Sequence, residues 1–433
     1  MKTKNIILYQ LIIAVLVVSC NDDELTDRTH EVLVKNLSSE LVPLTAQPSD
    51  WDDDQLRFLD PLSKVSVIGL GEATHGTAEF FQAKHRIFKY LVENHGFKIF
   101  AIEADFGESI FLNQAILASD KVQVEHLMKQ KMHFWTWKTT EVRDFLFWMC
   151  DYNRGKSESE KLQYWGVDCQ FNTYHPDLAM NNLARVNLPF KSLIESVIEE
   201  ATGNQFTYYN KDLFNAFIER VQSLKDSLAN HKKEIIETES ESFYDVTLQL
   251  VELIRQASEV MYHPNSHEFR DQYMAQNTRW LHNYFNGQKI VVWAHNFHVS
   301  NDSWFKSMGY HLKADFRDDY AIVGFLFAKG TFTAVSQNGN ELGSLTKHSL
   351  ESEPIAGSVN DIMSDVGLPA FEIIISDLHR HKDWRLAFHQ GITFFDMSSA
   401  YNNKPSYYYR RLLSNYYDRI IYIDRSTASY PLR

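Results

Sequence analysis

Cysteine is almost absent: the chain has three in 433 residues, Cys20, Cys150 and Cys169. Two in the body of the chain make no disulfide framework, so a hydrophobic core must carry the stability, and Cys150 and Cys169 read as buried thiols. Basic charge is in deficit. Lys and Arg number 43 against 56 Asp and Glu, a net charge of −13, and no basic cluster stands out, so nucleic acid is not an expected partner. Internal repeats and low-complexity segments are missing. So are several catalytic signatures. Without G-x-S-x-G there is no nucleophile elbow, without H-E-x-x-H no zincin helix, and no P-loop or dinucleotide fingerprint is present. Cys169 beside Asp168 has no activating neighbour in sequence. The chemistry left is attack by water, activated by side chains or by a metal they hold.

What is present is apolar bulk. Hydrophobic residues make up 44% of the chain and aromatics 14%, enough for one large domain or two modest ones. The longest apolar run, Ile6 to Val18, follows Lys2 and Lys4 and is too short for a comfortable membrane span, so it reads as a secretory signal. It ends Val17-Val18-Ser19-Cys20, which resembles a bacterial lipobox, and Asn21-Asp22-Asp23-Glu24 follows, similar to an export signal of surface lipoproteins. Residues 1–20 are therefore expected to be a lipoprotein signal peptide with Cys20 lipidated. The expected location is the cell envelope, as an outer-membrane lipoprotein facing the periplasm or the outside, held to the membrane by its N-terminal lipid. Residues 21–50 read as a tether and an opening helix.

Short, nearly continuous apolar runs mark strands at Val65–Leu70, Ile99–Glu103, Gln163–Val167, Lys289–Trp293, Ala321–Phe327, Phe371–Ser376 and Arg419–Ile423. Such runs suit parallel strands buried on both faces, and helical patterns lie between them, so the fold class is α/β with a mostly parallel sheet. Long amphipathic stretches such as Leu213–Asn230 and Phe243–Tyr262 carry no strand signal. The expected organisation is an α/β core over 51–186 and 287–433, with a helical insertion over 187–286 between its two halves. Such a cap commonly shapes a pocket over the strand ends.

Three of these strands stop at a carboxylate or an imidazole: the first before Glu72 and His75, the second at Glu103, another before His295, Asn296 and His298. The carboxyl ends of strands are where α/β proteins bind ligands. Gly69, Gly71 and Gly76 bracket the first group. A His there can act as a general base near neutral pH, with a carboxylate three residues earlier to orient it. Lys84 falls within the apolar stripe Phe80, Phe81, Ile87, Phe88 and Leu91 of the next helix. A core-facing Lys needs a partner, expected to be Glu103 or a substrate oxyanion. Asp105 reads as a helix cap, Asp168 as a supporting acid, and Trp135 and Trp137 as core. Arg270 shares a helix face with Met274 and Asn277 and suits a carboxylate or an ester oxygen.

Together these residues resemble the erythromycin esterase family. The resemblance rests on Gly71-Glu72-Ala73-Thr74-His75-Gly76, on Glu79, Phe80 and Lys84, and on Glu103. It continues through Trp135, Trp137 and Glu141, then Gly166-Val167-Asp168-Cys169-Gln170, Arg270-Asp271 with Met274 and Asn277, and Trp293-Ala294-His295-Asn296-Phe297-His298. It covers most of the chain after residue 50. The resemblance implies an α/β core with a helical part over a cleft, and hydrolysis of an ester or lactone such as that of a macrolide. It implies His75 as the base that activates water, Glu72 and Glu103 as carboxylates positioning base and water, and His295 as a second essential His. Lys84, Arg270, Asn296 and His298 are expected to bind the substrate or its oxyanion. Lys84 stands where some macrolide-hydrolysing members carry Arg, which keeps the charge but loses the bidentate fork. The expected partner is a small-molecule ester, and no cofactor is expected. The alternatives are a divalent metal held by Glu72, His75, Glu103 and His295, or a ligand-binding surface lipoprotein without catalysis.

Overall fold

The computed structural model describes residues 27–203, 206, 209–339, 341–402 and 407–432; Cys20 and the signal peptide expected before it lie outside them. The strands in chain order are β1 (Val42–Leu44), β2 (Val67–Leu70), β3 (Ile99–Asp105), β4 (Gln163–Asp168), β5 (Ile290–Trp293), β6 (Tyr320–Asn338), β7 (Glu341–Leu350), β8 (Ala370–Ile374), β9 (Ile392–Phe395), β10 (Ala400–Tyr401), β11 (Tyr408–Arg411) and β12 (Arg419–Ser426). The main sheet runs β1-β8-β12-β6-β2-β5-β3-β4. From β12 to β4 every neighbour is parallel, while β8 and β1 add antiparallel strands at one edge. The fold is thus α/β with a mostly parallel sheet. β2, β3 and β5 are buried throughout, which is why they read as unbroken apolar runs.

Register places the site. Leu70 pairs with Trp293, Trp293 with Ile102, and Ile102 with Gly166. β2 and β5 therefore end at one height, β3 and β4 run on slightly past it to Asp105 and Asp168, and Glu72, Glu103, Asp168 and His295 all emerge on the same rim. β2 lies between β5 and β6, so chain order reverses across it, the place where α/β sheets open a crevice.

Several boundaries differ from the sequence reading. β8 stops at Ile374, not Ser376, because its partner β12 begins opposite it at Arg419, and Ile375–Leu378 turns helical. β6 continues far past Phe327 to Asn338, where it pairs with β7 in an antiparallel ribbon; polar Thr331, Thr333, Ser336 and Gln337 hide that extension from an apolar-run criterion. The sheet also starts before Trp51, since β1 within the expected tether pairs with β8. Helix Asp27–Ser38 precedes it. Between β4 and β5 the described elements are helices alone, beginning at His175 and ending with Ser266–Tyr284. Cys150 and Cys169 are free and buried.

The turn after β2 is locked from two sides. The Gly76 carbonyl accepts the backbone N–H groups of Thr333 and Ser429, each at 2.9 Å. A Cβ on Gly76 would sit 1.8 Å from the Thr333 carbonyl oxygen. Gly76→Ala is therefore expected to destabilise the chain by about 1–3 kcal/mol or more, the usual cost of overpacking, read as a lower urea midpoint. An unchanged midpoint would contradict this close approach.

Candidate active site

The Glu72 carboxylate is fully buried. Its Oε1 accepts from His75 Nδ1 at 2.8 Å and its Oε2 from Trp293 Nε1 at 2.6 Å, with Lys84 Nζ 3.3 Å from Oε2. Lys84 comes from helix Ala78–His95, which starts just after the turn. Its ammonium also lies 4.3 Å from the Phe325 ring centroid and 5.0 Å from that of Trp293, cation–π contacts that replace part of its lost hydration. Burial brings Lys84 down to about 8, against the pull of Glu72. The carboxylate fixes the His75 tautomer: Nδ1 carries the proton and Nε2 keeps its lone pair. That Nε2 makes no hydrogen bond among the described residues, and His75 lines a cavity.

A second network lies behind the first. Arg270 grips Asp168 with Nε and Nη2 at 3.0 and 2.8 Å, and Nη2 also donates to Glu103 Oε1 at 2.7 Å. Glu103 Oε2 accepts the His295 backbone N–H at 2.9 Å, and the Glu103 carbonyl accepts Trp137 Nε1 at 2.8 Å. His298 Nδ1 bonds Asp271 at 2.6 Å, while its Nε2 stands 3.2 Å from Glu103 and 3.0 Å from Arg270 Nη1. Burial opposes charge on His298, but Asp271 and Glu103 outweigh it and the neighbouring guanidinium, pushing His298 up to about 10. Burial likewise raises Glu103, yet His298 and Arg270 hold it well below its ordinary value.

His295 differs. Burial, with His75 and His298 nearby, holds it well below its ordinary value, so the ring is neutral. Its Nδ1 accepts the Phe297 N–H at 3.2 Å, and its Nε2 donates to the Met397 carbonyl at 3.1 Å. The His75 and His295 ring centroids are 5.0 Å apart.

The cavity above these rings has a volume of about 290 Å³. His75, His295 and His298, at the strand ends, form its floor; Phe297, Phe305, Tyr407, Tyr409 and Tyr416 supply its aromatic walls. The long helices between β4 and β5 do not line it, contrary to the expected cap. They contribute Arg270 from below.

The structure brings Glu72, His75, Glu103, His295 and His298 together and reassigns three others. Lys84 is fully buried and pairs with Glu72, not Glu103 or a substrate. Arg270 is consumed by Glu103 and Asp168. Asn296 is fully buried: its amide clasps the Phe325 backbone with bonds of 2.8 and 3.0 Å, joining the β5 turn to β6. None of the three lines the cavity. As expected, Asp105 caps the helix after β3, accepting the Glu108 N–H. Among the described residues no cluster of three or more His, Cys, Asp and Glu is arranged to hold a metal ion, since Glu72 and Glu103 face different cations of the protein itself. Sequence reasoning missed Asp302, Arg411, Asp396 and the aromatic walls, and gave Asp271 no part in holding His298. Asp396 had a usable signal, because it follows the strand Ile392-Thr393-Phe394-Phe395 as Glu103 follows the apolar run Ile99–Ile102.

The erythromycin esterase family model matches residues 92–426, a span beginning after Glu72 and His75. Over 90% of this chain and 91% of its own length, the protein named "Putative hydrolase YbfO" of Bacillus subtilis (strain 168) is 23% identical. Erythromycin esterase type II of Escherichia coli is 24% identical over 73% of this chain and 83% of its own length. A crystal structure of a Bacillus cereus protein has the same fold, with a TM-score of 0.81 and 22% identity, covering 93% of this chain and 99% of that one.

Removing Arg270 would strand Glu103 and Asp168 in a dry interior. Arg270→Leu is expected to cost about 3–5 kcal/mol at pH 7, the penalty for breaking a buried pair. Because Glu103 is depressed on folding, it stabilises the wild type fully above its ordinary value of 4.5, and that contribution fades as pH falls below it. The gap between wild type and variant should therefore narrow in acid. Urea titrations at pH 7 and pH 4 check this; a gap that widens in acid would contradict it.

Proposed function

The chain belongs to the erythromycin esterase family, and from that premise we propose that it hydrolyses an ester or lactone bond using water activated by His75. Membership points to a hydrolase; the bond type and mechanism are our reading. One observation carries it: His75 has Nδ1 held by a buried carboxylate and Nε2 open to a cavity. That is the arrangement of a general base, with the carboxylate fixing the tautomer and balancing the imidazolium that forms. Water bound at Nε2 gives up its proton there as its oxygen attacks the carbonyl carbon. The neutral His295 stands beside it with an Nε2–H to offer the oxyanion once it leaves the Met397 carbonyl. Glu103, Arg270 and His298 are positioning residues that hold the start of the His295 turn. No step in this scheme calls for a metal.

The cavity sits at the small end of the usual range for ligand sites, about 300–1,000 Å³. It fits a reacting ester with its nearest substituents, and the rest of a bulky lactone would lie outside, against the tyrosines. Macrolide lactones are the first substrates to test. His75→Ala should lower kcat by about 10²–10⁴-fold with little change in fold, Glu72→Gln should lower it similarly but at a cost in stability because it leaves buried Lys84 without its carboxylate, and chelator should leave the wild type unaffected. Mass spectrometry for the gain of one water reads the reaction. Activity lost to chelator and restored by zinc or manganese would replace this reading with metal-dependent hydrolysis.

We propose also that Cys20 carries a lipid anchoring the chain at the cell envelope, on the strength of the Ile6–Val18 run and the residues that follow it. No described helix is long and apolar enough to cross a membrane. Metabolic labelling with a fatty acid should mark the wild type and not Cys20→Ser; equal labelling would remove the anchor.

A further inference from the structure

Ester cleavage needs a second proton transfer. An alkoxide is a poor leaving group, and an acid must protonate it as the C–O bond breaks. The cavity offers few candidates. His295 is held neutral, and a neutral imidazole N–H can donate a hydrogen bond to an oxyanion but is too weak an acid to give up its proton. Both nitrogens of His298 are committed, to Asp271 and to the Glu103–Arg270 pair. Asp302 accepts three donors, the backbone N–H groups of Trp304 and Phe305 and the Tyr416 hydroxyl, so it acts as a carboxylate acceptor.

Asp396 is left. It lines the same cavity as His75, and its side chain is 12% exposed. Its Oδ1 stands 3.5 Å from His295 Nε2 and 3.4 Å from Asn296 Nδ2. Its Oδ2 makes no hydrogen bond among the described residues. The backbone around it is fixed: Asp396 N–H donates to the Tyr407 carbonyl, and Met397 N–H to the Ala73 carbonyl in the His75 turn. No Lys or Arg forms an ion pair with Asp396 among the described residues, in contrast to Glu72 and Glu103.

We propose that Asp396 is the general acid of the reaction, a carboxylic acid that gives its proton to the leaving alkoxide while His75 acts as base. The assignment rests on the ester-hydrolase reading above. As the tetrahedral intermediate collapses, its C–O electron pair passes to the leaving oxygen, and that oxygen takes the Asp396 proton and departs as the alcohol. The proton His75 drew from water then returns through solvent to the Asp396 carboxylate. Water and ester are consumed; acid and alcohol are made.

Protonation fits the surroundings. Burial raises Asp396 well above its ordinary value, and Glu72 adds to the rise; Asn296, His298 and Arg411 pull the other way and are outweighed. The remaining titratable groups facing it are the neutral His295 and the hydroxyls of Tyr409 and Tyr417, both shifted up. Glu72, tied to a Lys, and Asp396, tied to none, are thus two carboxyl groups of one site in opposite electrostatic surroundings. That separation is how a single pocket supplies base and acid at one pH.

The test uses the full chain in detergent and two esters of one acid, an alkyl ester and its p-nitrophenyl counterpart, whose leaving group needs no proton. Asp396→Asn should lower kcat on the alkyl ester by about 10²–10⁴-fold and slow the nitrophenyl ester far less. The loss of wild-type alkyl-ester activity at rising pH should vanish in the variant. Infrared difference spectra at pH 7 should show the carbonyl band of a protonated carboxyl in wild type and not in Asp396→Asn. Equal slowing of both esters, no slowing of either, or absence of that band overturns the acid role. If His75→Ala abolishes both activities while Asp396→Asn slows both alike, only Asp396 is reassigned. If wild type and His75→Ala cleave neither ester nor any macrolide, the hydrolase reading falls and the acid role with it.

Discussion

A carboxylate at the end of a buried strand must find a positive partner or give up its charge. Desolvating an isolated carboxylate costs several kcal/mol even after the protein relaxes. Two strand ends here keep theirs. Glu72 has Lys84 and the Trp293 N–H; Glu103 has Arg270, shared with Asp168. These pairs dictate more than local contacts. Lys84 ties helix Ala78–His95 to the rim of β2, and Arg270 ties helix Ser266–Tyr284 to the rims of β3 and β4 at once. A slip of either helix by one turn would strand a charge in the core. The ionic network therefore fixes the registry of helices on sheet, a role for which buried polar groups are best attested.

The same matching decides what a substrate meets. Lys84 and Arg270 are spent inside the protein, so the cavity floor presents imidazoles rather than free cations. His75 gains its orientation from Glu72, and His295 has its backbone held by Glu103. Each acid works through a ring it positions. The rings in turn depend on close-packed turns: a Cβ at Gly71 would come within 2.1 Å of Asn296 Oδ1, so the His75 turn and the His295 turn can only meet where no side chain intervenes.

Much of this was legible in sequence, for a physical reason. Parallel strands buried on both faces must be apolar, so a polar residue at their end stands out; Glu72, His75, Glu103, His295 and His298 were found that way. Lys84 is conspicuous by the same contrast, yet the expected partner, Glu103 or a substrate oxyanion, is not the one it has. Sequence spacing does not say that β5 separates β2 from β3, and that insertion leaves Glu72 as the carboxylate within reach of the helix following β2. Arg270 and Asn296 carried the chemistry of substrate binders. Only the fold shows that the groups meant to receive a ligand already hold protein partners. The ribbon of β6 and β7 and the tyrosine wall escaped notice because half-exposed segments mix polar and apolar residues with no single period.

The division between floor and walls bears on how such a site changes substrate. The floor is built from strand ends and carries its own ionic scaffold, so substitutions there disturb stability and chemistry together. The walls come from the segment Phe297–Phe305 and from β11 with the short helix Leu413–Tyr416. Tyr409 is well exposed, and the ionic network does not run through these aromatic rings. Wall residues can therefore be exchanged at small cost to folding, as loop positions around a rigid scaffold generally can. On the hydrolase reading, the floor would break the bond and the aromatic rim would select the molecule held for it.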